Sequence, residues 1–181
     1  MNDKVERWDK IKISFLEYFW SNSFFSVKNE KNLPYLLKKC DVFHDFSELE
    51  LFEVTQYVNI RNFSAGEEIF NSSDYGIGFY LILNGSVQLN RNGAEEDSLV
   101  LYPKMYFGEK NLLLEKSKVG VNIKAIEKCT LASILIPDLD NMIDKKPRVA
   151  VKFIKALSKI SLQRLNAIEN RINQGEENRF E

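Results

Sequence analysis

Apolar and polar positions follow three different rhythms along the chain. From Lys4 to Val27, Trp8, Ile11, Phe15 and Tyr18 or Phe19 recur at helical spacing. Asp9, Lys10, Lys12 and Glu17 occupy the positions between, which predicts an amphipathic helix. Its end, Phe19-Trp20-Ser21-Asn22-Ser23-Phe24-Phe25, is dense in rings that suit a sheet or a helix of the same protein. A membrane-surface helix fits less well, because its polar face carries both signs of charge. A short helix follows over Leu33 to Lys39, with Pro34 in the first turn, where a missing N–H costs nothing. Ser47 and Glu50 have capping-box spacing and open another helix that runs to about Val58.

The rhythm then changes to short runs broken by turn residues. Ile60–Phe63 and Glu68–Phe70 flank a turn at Ser64-Ala65-Gly66, and Phe79–Leu83 is continuously apolar. Asn84-Gly85 predicts a hairpin with positive φ tolerated at both positions, Ser86–Asn90 alternates as a strand, and Asn92-Gly93 marks a second tight turn. Ser98–Tyr102, Val121–Ala125 and Thr130–Ile136 complete the strands. Short strands with frequent turns predict an all-β sandwich or barrel in this region.

The third region is helical again. Pro137-Asp138-Leu139-Asp140 opens a short helix, Lys145-Lys146-Pro147 interrupts it, and Pro147 sits in the first turn of a long helix over about Arg148 to Asn173. Ile154, Leu157, Ile160, Leu165, Ile168 and Ile172 form one stripe along it. The whole reads as α+β: a jelly-roll-like antiparallel β-barrel flanked by N-terminal helices and a long C-terminal helix. The expected organisation is an N-terminal helix (1–30), the barrel domain (31–147), the long helix (148–173) and a disordered tail (174–181).

Composition narrows the function classes. With 181 residues and 44% of them hydrophobic, the chain can bury one ordinary core. A formal net charge of -1 provides no basic stripe for nucleic acid. Cys40 and Cys129 are far apart and His44 is the one histidine, so neither a disulfide framework nor a zinc or haem site is expected. No apolar run reaches the length of a membrane span, and the mixed charges of residues 1–7 do not read as a signal peptide. A cytoplasmic protein is the expectation. Catalytic fingerprints are missing too: there is no Ser-His-Asp order, H-E-x-x-H or P-loop, and a helix N-terminus accounts for Asp138 and Asp140. No enzyme is expected.

Three motifs occur in order: Ala65-Gly66-Glu67-Glu68-Ile69-Phe70, Gly78-Phe79-Tyr80-Leu81-Ile82-Leu83-Asn84-Gly85-Ser86-Val87, and Phe107-Gly108-Glu109. With these motifs the region from Leu36 to Leu165 resembles the cyclic-nucleotide-binding domain family, which includes catabolite activator proteins and cyclic-AMP-dependent kinase regulatory subunits. Gly66 and Gly85 suit turns of positive φ, and Gly108 allows close backbone approach.

The resemblance implies a phosphate-binding cassette opening at Phe107, Gly108 and Glu109 and continuing through Lys110 and Asn111. In it, helix-terminal N–H groups face a cyclic phosphate. Glu109 would accept from the ribose 2′-hydroxyl, and an arginine further on would grip the phosphate with its planar fork of donors. The arginine position falls on Val119, preceded by Lys118 and followed by Gly120. Lys118 could act as a point charge if the register shifted by one. The family's Gly-Asp before the cassette is replaced by Lys104-Met105. Losing a charge-assisted pair to a buried phosphate costs about 2–5 kcal/mol, or roughly thirty-fold to several-thousand-fold in affinity.

Two functional expectations follow. The first is a stand-alone, non-enzymatic regulatory or interaction module that has lost tight cyclic AMP or cyclic GMP binding. The alternative is a sensor of a cyclic nucleotide, or another anionic small molecule, in a modified cassette. No cofactor is certain. The long helix, through Leu157, Leu165, Ile168 and Ile172, is expected to pair two copies into a homodimer or to meet a protein partner. A transcription factor of the catabolite-activator type would carry a DNA-binding helix-turn-helix after such a helix, and none is expected in the polar residues after Asn173.

Overall fold

The computed structural model describes residues 32–91, 98–114 and 117–177. The expected N-terminal helix, the Asn92-Gly93 turn and residues 178–181 lie outside the described residues.

The first helices form where side chains satisfy their ends. Helix α1 (Leu33–Lys38) has Pro34 in its first turn, and a 3-10 turn (Asp41–Phe43) follows. Helix α2 (Glu48–Thr55) starts with a complete capping box. The Glu50 N–H donates to Ser47 Oγ, and the Ser47 N–H donates to the Glu50 carboxylate at 2.7 Å. It ends three residues before the expected Val58, in turns closed by Tyr57 N–H to Val54 O and Val58 N–H to Thr55 O.

Eight strands follow: β1 (Asn59–Phe63), β2 (Glu68–Phe70), β3 (Gly78–Asn84), β4 (Val87–Asn90), β5 (Ser98–Leu101), β6 (Tyr106–Phe107), β7 (Asn122–Ala125) and β8 (Cys129–Leu135). They form two antiparallel four-stranded sheets, ordered β1-β8-β3-β6 and β2-β7-β4-β5, rather than one closed barrel. The Asn84-Gly85 step is not the hairpin the dipeptide suggested. β3 and β4 lie in different sheets, so the chain crosses between layers there. Of the pair, Gly85 alone takes positive φ, at 75°. A Cβ at Gly85 would come within 2.7 Å of the Cys129 Cα.

The apolar run of β3 is buried on both faces, which explains its lack of alternation with polar residues. Phe79 and Leu81 point under the helices, whereas Tyr80 and Ile82 point between the sheets. The outer cluster is bound to helix α5 (Pro147–Glu177), which follows helix α4 (Ile136–Lys145) after a break at Lys146. Phe153 of α5 stacks on Phe43 at 5.4 Å and meets Phe79 edge-on at 5.6 Å. Lys146 and Lys152 pair with Glu53 and Glu50 of α2 at 2.5 and 2.7 Å, which fixes the helices against each other.

Helix α5 continues to Glu177, so four residues expected in the tail are helical. Leu157 is fully buried in the chain's own core, where it cannot serve as a partner-facing residue. Leu165, Ile168 and Ile172 are exposed by 49, 54 and 56%. Among the described residues no helix is long and apolar enough to cross a membrane.

Candidate functional site: the cassette between β6 and β7

Strand β6 delivers Phe107 into the space between the sheets, where its ring stacks on Tyr80 at 5.1 Å. The chain then turns sharply at Gly108, which caps helix α3 (Glu109–Leu113) with φ of 86°. Any side chain there would strike the Gly78 carbonyl of the neighbouring strand, so the glycine is dictated by both backbone angle and space.

Glu109 opens the helix, as an acid favours, but its carboxylate is already engaged. Arg164 of α5 donates to it at 2.8 Å and also lies over the Tyr106 ring at 4.7 Å. The pair is partly solvent-exposed, so its stabilisation is of the order of 1 kcal/mol or less. Its importance is geometric: it ties the first residue of the cassette to the long helix. Burial pushes the Tyr106 phenol up to about 12, against the opposing pull of the Arg164 charge.

Asn111 is the buried polar centre of the cassette, 6% exposed. Its amide donates to Ser117 O at 3.0 Å, Ser117 Oγ at 2.7 Å and Lys118 O at 3.2 Å. It packs directly over Gly76, where a Cβ would collide with the Asn111 side chain. The returning segment is bound from its other side as well. Val119 N–H donates to Asp74 O at 2.9 Å, Gly120 N–H to Ser72 O at 3.0 Å, and Gly76 N–H to Ser117 O at 3.1 Å. Gly120 has φ of 78° and open space around it.

The register is therefore set. The side chain of Val119 packs against the inter-sheet cluster of Phe70, Tyr80, Leu101 and Phe107, in the position where a phosphate-gripping cation was expected. Lys118 is exposed and bridges to Tyr75, so the one-residue shift that would aim its ammonium inward does not occur. Lys110 is also exposed. Of the candidates named from sequence, Phe107, Gly108, Glu109, Asn111, Val119 and Gly120 come together around one cassette, with Lys110 and Lys118 on its surface.

Sequence reasoning missed Arg164 and Gly76. Arg164 is one of several basic residues on a long helix, and no local pattern marks it. Gly76 belongs to none of the three motifs, and its close approach to Asn111 is made only in the fold. Tyr80 was read as a strand residue only. Its hydroxyl is buried between the sheets with no hydrogen-bond partner, and burial raises its pKa. Among the described residues no cluster of His, Cys, Asp or Glu is arranged to hold a metal ion.

Fold and cassette together define a two-sheet jelly roll with a helical cassette between its sixth and seventh strands, fastened to a C-terminal helix. Residues 60–146 match the family model described as Cyclic nucleotide-binding domain, and this segment belongs to that family. Catabolite Activator Protein of Thermus thermophilus is similar over 74% of this chain, with 27% identity and a TM-score of 0.64. A cyclic nucleotide-binding domain from Methylobacillus flagellatus aligns over 83% of this chain and 86% of its own, with 16% identity and a TM-score of 0.67. The regulatory domain of Toxoplasma gondii PKA, solved with cAMP, aligns over 72% of this chain at 20% identity, with a TM-score of 0.57. The last two likenesses show the fold alone. The chain spans 62% of the Thermus protein and 49% of the Toxoplasma one. A search of curated proteins gave no match.

Proposed function

We propose that this chain is a non-enzymatic regulatory or interaction module that keeps the cyclic nucleotide-binding fold but does not bind cyclic AMP or cyclic GMP tightly. One observation carries the reading: the protein closes its own cassette. The N–H groups of Val119 and Gly120 are consumed by Asp74 O and Ser72 O. A phosphate entering there would have to break these bonds and would find the Val119 side chain in place of a guanidinium. Glu109 is held by Arg164 and would have to exchange an ion pair for a ribose hydroxyl. Desolvating an anion without a paired cation is costly, so the balance favours the self-bonded cassette over a bound cyclic phosphate.

The output surface in this reading is the second half of α5. Leu165, Ile168 and Ile172 recur at spacings of three and four and stand exposed, as a helix-pairing seam requires. The occupant we favour is the same stripe of a second copy, giving a homodimer. Nothing in the site calls for nucleic acid.

A sensor of another small molecule is the second reading, favoured by one feature: the unpaired, buried Tyr80 hydroxyl between the sheets. Calorimetric titration of the folded protein with cyclic AMP and cyclic GMP to millimolar concentration tests the main reading. Absence of heat with both is expected. Micromolar or tighter binding of either overturns it in favour of a working nucleotide sensor.

A further inference from the structure

Helix α2 leaves an apolar step on its outer side. Leu51 and Val54 face the core, but Leu49 and Phe52, one turn apart, are 70 and 59% exposed. Side chains of this size, at the spacing that puts them on one helix face, are not needed to build the domain. We propose that this step is the dock for the chain's own residues 4–27.

Three observations select that occupant. The first is position. Residue 32 leads directly into α1, which packs against α2. From Phe25 to Asn32 the chain can reach at most about 25 Å, so the aromatic run ending at Phe25 is tethered within reach of the α1–α2 pair. A short tether gives an effective concentration in the millimolar range, far above that of a second copy in a dilute solution. The second is pattern. Trp8, Ile11, Phe15 and Phe19 supply one apolar stripe at helical spacing, complementary to a helix face showing Leu49 and Phe52. The third is charge. Helix α2 carries no basic residue, and with Glu50 and Glu53 already paired to Lys152 and Lys146, Glu48 at its start, next to Leu49, is the carboxylate that neither lysine engages. Residues 4–12 carry Lys4, Arg7, Lys10 and Lys12 against Glu6 and Asp9.

This inference is independent of whether the cassette binds a nucleotide. It also has a clean reporter, because both tryptophans of the chain, Trp8 and Trp20, lie in the docking segment. Their emission in the full chain should be blue-shifted and shielded from iodide. The double substitution Leu49→Glu and Phe52→Glu should shift it to the red and raise quenching several-fold. Both residues are already solvent-exposed, so the cooperative unfolding of the domain should persist, and denaturation followed by circular dichroism checks this. Emission that is unchanged by the double substitution in a folded sample overturns the proposal. So does a blue shift that disappears on dilution, which would assign the face to a second copy, or one that appears only on adding anionic vesicles, which would assign the segment to a membrane surface.

Discussion

Truncating Asn111 to alanine tests how the cassette is held. The side chain is 6% exposed and makes three hydrogen bonds, to Ser117 O, Ser117 Oγ and Lys118 O. Ser117 O also accepts from Gly76 N–H and stays paired after the truncation. Lys118 O and Ser117 Oγ lose a donor, in a segment where Ser117 is half-buried and Lys118 exposed. Each lost bond is worth about 1 kcal/mol net, and the exposed end can recruit water. The expected destabilisation of Asn111→Ala is therefore about 2 kcal/mol, or a drop in Tm of roughly 4–8 °C for a domain of this size.

Urea unfolding should show a lower midpoint with an unchanged slope. Amide exchange should show a local effect as well. The Val119 and Gly120 amides, protected in the unmodified protein by Asp74 O and Ser72 O, should exchange faster by more than the global destabilisation requires. A change in stability below about 0.5 kcal/mol, the scatter of ordinary surface substitutions, together with unchanged exchange at those amides, would refute the reasoning.

Other outcomes follow from single features. Lys104 is the one non-glycine among the described residues with positive φ, at 78°. Left-handed backbone costs an L-residue about 1–2 kcal/mol, partly offset in Lys104→Gly by the greater freedom of glycine in the unfolded chain, so that substitution should stabilise by about 0.5–1 kcal/mol in chemical denaturation. Cys40 and Cys129 are buried and their thiols are pushed up to about 11, mainly by desolvation. Both should resist a thiol reagent at neutral pH in the native state and react once the chain unfolds. The Glu50 carboxyl is held below its ordinary range by the hydrogen bond from Lys152 and then by the Ser47 N–H. Its folded pKa is depressed, so its contribution is present above the unfolded value of about 4.3 and lost as pH falls through the folded value. Glu50→Gln should flatten the acid limb of stability measured against pH.

Much of this architecture was legible because local chemistry and global fold agree. The Ser47–Glu50 box, the Pro147 start of the long helix and the strand rhythm from β1 to β8 are written in short-range patterns. The two-layer arrangement was less legible, since Asn84-Gly85 carries the same signal whether the chain turns within a sheet or crosses between sheets. Register in the cassette was narrowed by counting and decided by packing: Val119 faces the inter-sheet cluster and Lys118 faces water. Leu157 fits the same helical stripe as Leu165, and only the position of the domain beneath α5 separates a core residue from an exposed one. The Arg164–Glu109 contact spans 55 positions in sequence and joins two elements that no local pattern connects.

The most direct test of the self-closed cassette is to follow the backbone amide resonances of Val119 and Gly120 while millimolar cyclic AMP, and separately cyclic GMP, is added to the folded protein. The account predicts that both amides keep their shifts and their protection from exchange, because their donors remain on Asp74 O and Ser72 O. Saturable shifts at these two positions, with loss of the Glu109–Arg164 contact, would contradict it.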